Sequence, residues 1–265
     1  MNENSKDLSS SQDFDNGVFA NHPPEVMSKT KKMMMYFIIF AIVMLFGGFT
    51  SAYILLNTNT YWVHINPTFF LNLSLVFLVL SSVTMILANR SVKKGKIKAG
   101  RNMLLVTFFL GFGFTFAQLT GWQELKNMGM GTTVVETENG PATSWNNIEK
   151  ITGEYMVDYY VHHDGQILDY QNGNYYAATD PLKEEPINNK ITANTNSSGA
   201  FIWVLIWVHI IHLALGLMYL LYNVVRLSKD KIGPEIGVQV HNNGIYWHFM
   251  GILWVYLFVF LFIIH

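Results

Sequence analysis

Five apolar segments, Met33–Leu56, Thr68–Ala88, Met103–Leu125, Ala200–Arg226 and Gly244–Ile264, dominate the chain. Each has the roughly 20 residues needed to cross about 30 Å of hydrocarbon at about 1.5 Å per residue. A soluble protein does not repeat such a run five times, so the solvent for most of this chain is lipid. The charged fraction agrees: 13% of the 265 residues, against about 25% in an ordinary soluble domain. The expected fold is an all-α integral membrane protein, a bundle of five transmembrane helices.

The distribution of Lys and Arg orients the bundle. Lys29, Lys31 and Lys32 precede the first segment; Arg90, Lys93, Lys94, Lys96, Lys98 and Arg101 fill the second loop; Arg226, Lys229 and Lys231 follow the fourth segment. The first loop, Asn57–Pro67, has neither Lys nor Arg, and the third has an excess of Asp and Glu. The amino terminus is therefore expected in the cytoplasm and His265 at the outer surface of the membrane. In domain terms, 1–32 reads as a disordered cytoplasmic tail, 33–125 as transmembrane helices 1–3, 126–199 as an outward, periplasmic insertion, and 200–265 as transmembrane helices 4–5.

A connection as long as the third loop needs structure of its own. Asp164-Gly165 and Asn172-Gly173 suit two-residue hairpin turns because both dipeptides adopt positive φ easily. They lie among Tyr155, Tyr159, Tyr160, Val161, Ile167, Tyr170, Tyr175 and Tyr176, residues favoured in a half-buried sheet. A small β-meander facing outward and covering a neighbouring subunit is expected between helices 3 and 4.

Chemistry in such a chain is sought among polar groups inside the bilayer, where they are costly. None of the five segments has Asp, Glu, Lys or Arg in its interior, with Glu124 and Arg226 only at segment ends. Proton relays and ion-coupled carriers need such groups, and alternating-access carriers also have broken helices in repeated halves. The absence of cysteine excludes disulfides, iron–sulfur clusters and thiolate-ligated copper or zinc. A near-zero net charge suggests no nucleic-acid partner.

Three histidines remain: His209 and His212 on the fourth segment, sharing a face with Gly216, and His248 on the fifth. Axial ligation of a b-type haem would pair His209 or His212 with His248. Measured from the segment ends, His212 and His248 are separated by on the order of 10 Å along the membrane normal, too far to share one iron. The imidazoles are read instead as hydrogen-bonding between helices or to a headgroup or water. Small residues at four-residue spacing, Gly113/Ala117/Gly121 on the third segment and Gly47/Ser51 and Gly48/Ala52 on the first, suit close helix approach. Gln118, Asn72, Ser74, Ser81 and Ser82 supply interhelical hydrogen bonds in this reading. Tyr61, Trp62, Trp122, Trp203, Tyr246 and Trp247 lie near segment ends, as interfacial anchors do.

Taken in order, these segments resemble subunit III of the haem-copper oxidases in its five-helix bacterial form. The run Tyr246-Trp247-His248-Phe249 with Trp254 resembles the family's terminal signature, and Val208-His209-Ile210-Ile211-His212 with Gly216 its paired-histidine segment. Asn72 with Ser81-Ser82 resembles the second-helix pattern, and Gly111 with Gln118 and Trp122 the third. Ile42 and Val43 are apolar where many members carry an intramembrane carboxylate; Gly251 and Gly121 stand where acidic residues often occur. The resemblance implies a cofactor-free, stabilising subunit of a respiratory terminal oxidase (an aa3-like cytochrome c oxidase) that reduces oxygen and moves protons in aerobic electron transport. It further implies haem and copper in partner subunits, contact with subunits I and II, bound phospholipid, and a larger respiratory supercomplex touched by the 126–199 loop. No residue is expected to be catalytic, to hold a cofactor or to bind metal; His209, His212, Gly216, Tyr246, Trp247, His248, Trp254, Gln118, Trp122 and Asn72 are expected to serve structure or lipid contact. Subunit III of a quinol oxidase or of a nitric oxide reductase fits the same residues, and a b-haem membrane protein is the alternative from another class.

Overall fold

The structure is a computed structural model and describes residues 24–56, 61–130, 133–137, 140–144, 151–163, 166–193, 198–228 and 236–264. Five of its helices are long and apolar enough to cross a membrane: α1 (Pro24–Leu56), α2 (Phe69–Lys93), α3 (Ile97–Asn127), α5 (Ser198–Leu227) and α6 (Ile236–Val259), the last continuing as a π-helical turn over Phe260–Ile264. A short helix, α4 (Asn188–Ala193), precedes α5.

Two helix starts differ from the apolar runs. α1 opens at Pro24, a residue whose missing N–H costs nothing in a first turn, so 24–32 is helical rather than tail; residues 1–23 lie outside the described residues. At 33 residues α1 is about 50 Å long, and its basic first turns extend past the apolar stretch. α6 opens at Ile236 rather than Gly244 because Gln239, His241, Asn242 and Asn243 are taken into the helix. Hydropathy marks where a helix becomes apolar, whereas backbone hydrogen bonding continues into polar sequence.

α2 and α3 form a tight hairpin. Lys94, Gly95 and Lys96 donate their backbone N–H groups to the carbonyls of Arg90, Val92 and Ser91, and Gly95 takes the left-handed conformation (φ 73°) that lets the chain reverse. Small residues on α3 permit the close approach. A Cβ on Gly121 would lie 2.7 Å from Leu71 Cγ and one on Gly100 2.5 Å from Val92 Cγ2. The Gly47 and Gly48 positions behave differently: a Cβ at either would meet nothing within 4 Å. The small-residue stripe expected on α1 therefore faces no other part of the described chain.

α6 is the centre of the bundle, packing against α1, α2 and α5. Of its most apolar window 61% is buried, against 22–33% for the other four helices. α5 contacts α1, α3 and α6. Four helices with outward apolar faces thus flank one that is more deeply buried, while Ile252 and Val255 of α6 remain exposed.

The insertion is not one meander but three small antiparallel sheets. β1 (Trp62–Ile65), from the first loop, pairs with β4 (Tyr159–His163), which pairs with β5 (Gln166–Ile167). β2 (Thr133–Thr137) pairs with β3 (Gly140–Ser144), and β6 (Asp169–Gln171) with β7 (Asn174–Tyr176). Asn172 and Gly173, with φ of 53° and 84°, make the β6–β7 turn as their sequence suggests; Asp164-Gly165 lies outside the described residues. The β1–β4 pairing puts the first and third loops at the same end of the bundle. Alternation aims Val63, Ile65, Tyr159 and Val161 inward. Asn66 extends the link between the first loop and the insertion: its backbone N–H donates to Asp158 O (2.8 Å) and its side-chain amide to Val157 O (2.5 Å).

Candidate functional site: a tryptophan-centred polar seam

Of the polar residues singled out by sequence, Ser81, Gln118 and His209 lie buried along the seam where α2, α3 and α5 meet α6, and Asn72 does not. Trp247, 3% exposed, is its inner element. The indole Nε1–H donates to Ser81 Oγ on α2 (3.2 Å), and the ring lies where Gly111 on α3 would otherwise carry a side chain: a Cβ there would sit 2.6 Å from Trp247 Cη2 and 2.9 Å from Leu217 Cδ2. Gly216 on α5 makes the same kind of room, with a would-be Cβ 3.0 Å from Tyr246 Cε1 and 3.9 Å from Trp247 Cε3. Tyr246 uses that space to pass across α5 and donate its hydroxyl hydrogen to the carbonyl of His212 (2.9 Å). Trp247 and Tyr246 are therefore buried packing residues rather than interfacial anchors.

Toward the β-bearing end the next element is Trp254, 0% exposed, stacked on His209 with ring centroids 5.3 Å apart and edge-on to Phe114 of α3 at 6.0 Å. Beyond it Trp122 lies 6.2 Å from Phe262. Gln118 is 2% exposed, between the turns that carry Phe114 and Trp122. His209 is 1% exposed, and neither its two ring nitrogens nor Gln118 Nε2 nor Trp254 Nε1 has a hydrogen-bond partner among the described residues. Of the hydrogen bonds expected from α2, the seam uses that of Ser81, while Thr84 bridges to Thr107 of α3 at 2.8 Å. Asn72 is exposed and bonds locally, its amide donating to Pro67 O and Thr68 O at 3.3 Å each. Ser74 likewise donates to Leu71 O.

The three histidines occupy three surroundings. His209 is enclosed. His212 Nδ1–H donates to Val208 O of its own helix (2.7 Å), with Phe46 of α1 edge-on at 6.3 Å. His248 is half-buried on the stripe of α6 that also carries Ile252 and Val255, which are 69% and 44% exposed. Their depths do not differ as the segment ends suggest. Because α6 begins at Ile236, His248 lies about 18 Å into its helix, and the Tyr246–His212 and Trp254–His209 contacts put it within about 5 Å of the level of His212. What separates the imidazoles is the face each occupies, not depth. Among the described residues no group of three or more His, Cys, Asp or Glu is arranged to hold a metal ion.

At the β-bearing end a second aromatic cluster holds the insertion together. Tyr159 and Tyr175 share a hydroxyl–hydroxyl hydrogen bond (2.8 Å), and Tyr155 donates to Leu168 O (2.6 Å). Burial pushes all three phenols above their ordinary range. On the sheet's other face His64 stacks on Tyr160 at 4.7 Å. Burial, then the nearby His64, lowers the pKa of His162. Sequence reasoning identified the tyrosines as sheet residues but not the use of β1 as a partner strand, since nothing local in Trp62–Ile65 specifies which strand it joins.

These features define a polytopic helical membrane protein with a polar, tryptophan-centred interior seam. Four curated proteins are similar to it, all named as subunit 3 of an oxidase. The quinol oxidase subunit 3 of Bacillus spizizenii is 21% identical over 72 residues, 27% of this chain and 35% of that protein. The cytochrome c oxidase subunit 3 of Alkalihalophilus pseudofirmus is 28% identical over 65 residues, 24% of this chain and 32% of that protein, and that of Bacillus subtilis 27% identical over 67 residues. The match thus spans about a third of the length of these relatives. No family model matches the chain.

Proposed function

We propose that this chain is subunit III of a respiratory haem-copper terminal oxidase, a subunit without a redox centre that stabilises the complex during oxygen reduction and proton translocation. The observation that carries this reading is that all four curated relatives bear a subunit 3 name, together with burial of the motif residues His209, Gly216, Trp247 and Trp254 in one seam. Haem and copper belong to subunits I and II, against which the exposed apolar faces of the outer helices pack, with phospholipid filling what protein does not. On α1, Phe37, Phe40 and Met44 are 62–65% exposed and suit such a surface. The Lys and Arg distribution supports an amino terminus on the cytoplasmic side of a bacterial plasma membrane. The insertion then lies outside, over a neighbouring subunit or a supercomplex partner.

Two relatives are named for quinol and two for cytochrome c. The donor site belongs to another subunit, so a quinol oxidase is the second reading. An affinity tag on this chain, solubilisation of membranes in mild detergent and a haem spectrum of the purified complex test the proposal. Co-purification with haem-bearing subunits that oxidise reduced cytochrome c or quinol is expected. Purification of the intact chain in a stable assembly without haem would overturn it.

A further inference from the structure

Trp247 and Trp254 stand one heptad apart on α6, and a heptad returns a helical position to within about 20° of the same direction. The neighbours of Trp247 can be stepped outward by the same interval. α3 runs alongside α6 in the same direction, since Gly111 meets Trp247, Phe114 meets Trp254 and Trp122 meets Phe262. α5 and α2 run against it, since Gly216 meets Trp247 while His209 meets Trp254, and Ser81 meets Trp247 while Leu78 meets Gly251. One heptad therefore carries Gly111 to Gln118, Gly216 to His209 and Ser81 to Ser74. In the inner layer, Trp247 with two glycines and a serine, the indole N–H is bonded directly to Ser81 Oγ. The outer layer has the same frame with a glutamine and a histidine in place of the glycines.

All four outer residues are at most 2% exposed. Gln118 Nε2, Trp254 Nε1 and both nitrogens of His209 have no partner among the described residues. Ser74 has given its hydrogen to Leu71 O and keeps lone pairs to accept with. His209 and Trp254 cannot satisfy each other. Their rings are stacked, 26° from parallel, whereas ring N–H groups and nitrogen lone pairs lie in the ring planes. Buried donors in an apolar setting without acceptors are rare because they lose their water partners and gain none.

We propose that this layer is a water-binding site inside the membrane-spanning bundle. Gln118 Nε2–H and Trp254 Nε1–H donate to the two lone pairs of one water, which donates its hydrogens to a nitrogen of neutral His209 and to Ser74 Oγ. For the water the count closes at two bonds accepted and two donated, within the two to four that internal waters make; the N–H of His209 and the second N–H of Gln118 stand outside it. The inner layer needs no water, because there Ser81 accepts from the indole directly.

The test is a structure of the intact oxidase complex that retains this chain, at a resolution where its other internal waters are visible. A density peak within about 3.2 Å of both Trp254 Nε1 and Gln118 Nε2 is expected. Its absence, or a direct Gln118–His209 hydrogen bond, overturns the proposal. Activity half-life at a fixed elevated temperature is then compared for Gln118→Leu, His209→Phe and the double variant. With a shared water the double variant decays no faster than the worse single variant. Losses that multiply, each variant shortening the half-life by its own factor, overturn the proposal even where density is present. The density distinguishes a bridging water from a direct bond, which would also couple the two variants.

Discussion

His209 lies against Trp254 with its ring 5.3 Å away and nearly parallel, so a side chain of α5 and one of α6 close the seam face to face. Phe114 and Phe258 meet the same indole from its edges at 6.0 and 6.5 Å. Trp254→Ala removes the piece on which three neighbours rest. The expected cost is about 3–5 kcal/mol, read as a large drop in the thermal midpoint of the purified complex. Trp254→Phe keeps an aromatic face toward His209 and should retain more than half of that stability; equal effects of the two variants would contradict the packing described.

Gly111 and Gly113 make a paired control. A Cβ at Gly111 would lie 2.6 Å from the rigid Trp247 ring, whereas one at Gly113 would rest 3.4 Å from Phe77. Gly111→Ala should destabilise by about 1–3 kcal/mol through overpacking. Gly113→Ala should be neutral or slightly stabilising, because alanine favours helix by up to about 1 kcal/mol. Thermal melts of the two variants in one detergent decide the matter.

If the seam serves assembly, its disruption should spare chemistry. Trp247→Ala loses the bond to Ser81 and opens a cavity, while His212→Leu loses only a bond to its own helix. Both should keep the initial rate of oxygen reduction within a factor of about two, since less than about 0.5 kcal/mol of barrier would change. Subunit retention and lifetime during sustained turnover should fall for Trp247→Ala and change little for His212→Leu. A hundredfold loss of initial rate in a fully assembled variant would refute the proposed role.

Stability of the insertion should depend on pH at both ends of the scale. His162 has a folded pKa below its ordinary 6.5, from burial and then His64. The unfolded segment therefore binds more protons, and stability falls as pH drops through 6.5 toward the folded value. Tyr155, Tyr159 and Tyr175 have folded pKa values above 10.0, so their contribution is present below pH 10 and lost as pH rises beyond it. Backbone hydrogen exchange over 155–176, corrected for the intrinsic rate, should show greatest protection between these limits. His162→Gln should flatten the acid limb alone.

The proposed orientation is tested with single cysteines, the native chain having none. Gln171 in the β6–β7 hairpin and Lys96 in the α2–α3 turn are both exposed and lie at opposite ends of the bundle. In intact cells an impermeant maleimide should label Gln171→Cys, once past any outer barrier, and should reach Lys96→Cys only after lysis. The reverse pattern would invert the topology.

Hydropathy made the five spans legible because each must satisfy lipid on its own, whatever its neighbours. Helix ends were less legible. The polar run Gln239–Asn243 continues α6, and that extension shifted the inferred depth of His248 by about two turns. Partners across the fold were least legible, since β1 pairs with β4 across almost a hundred residues and the stripe of Gly47 and Gly48 finds no neighbour among the described residues. Gly113, Ala117 and Gly121 announced a close α2–α3 approach by their spacing. Gly111, which receives Trp247, had no such signal, because its partner residue lies on a distant helix.

The most deeply buried of the five spans, α6, is also the one synthesised after the other four. Until α6 enters the bilayer, Trp247 cannot occupy the hollow at Gly111 and Gly216, and Ser81 has no indole to bind. The α2–α3 hairpin can form early, since Gly95 and the Thr84–Thr107 bond are internal to it. α5 can meet α1 and α3 before α6 arrives, whereas the contacts of α1, α2 and α5 with α6 wait for it. Biogenesis therefore has a built-in order: a chain released before Ile236 holds four of the five spans and leaves Ser81, Gly111 and Gly216 uncovered by α6.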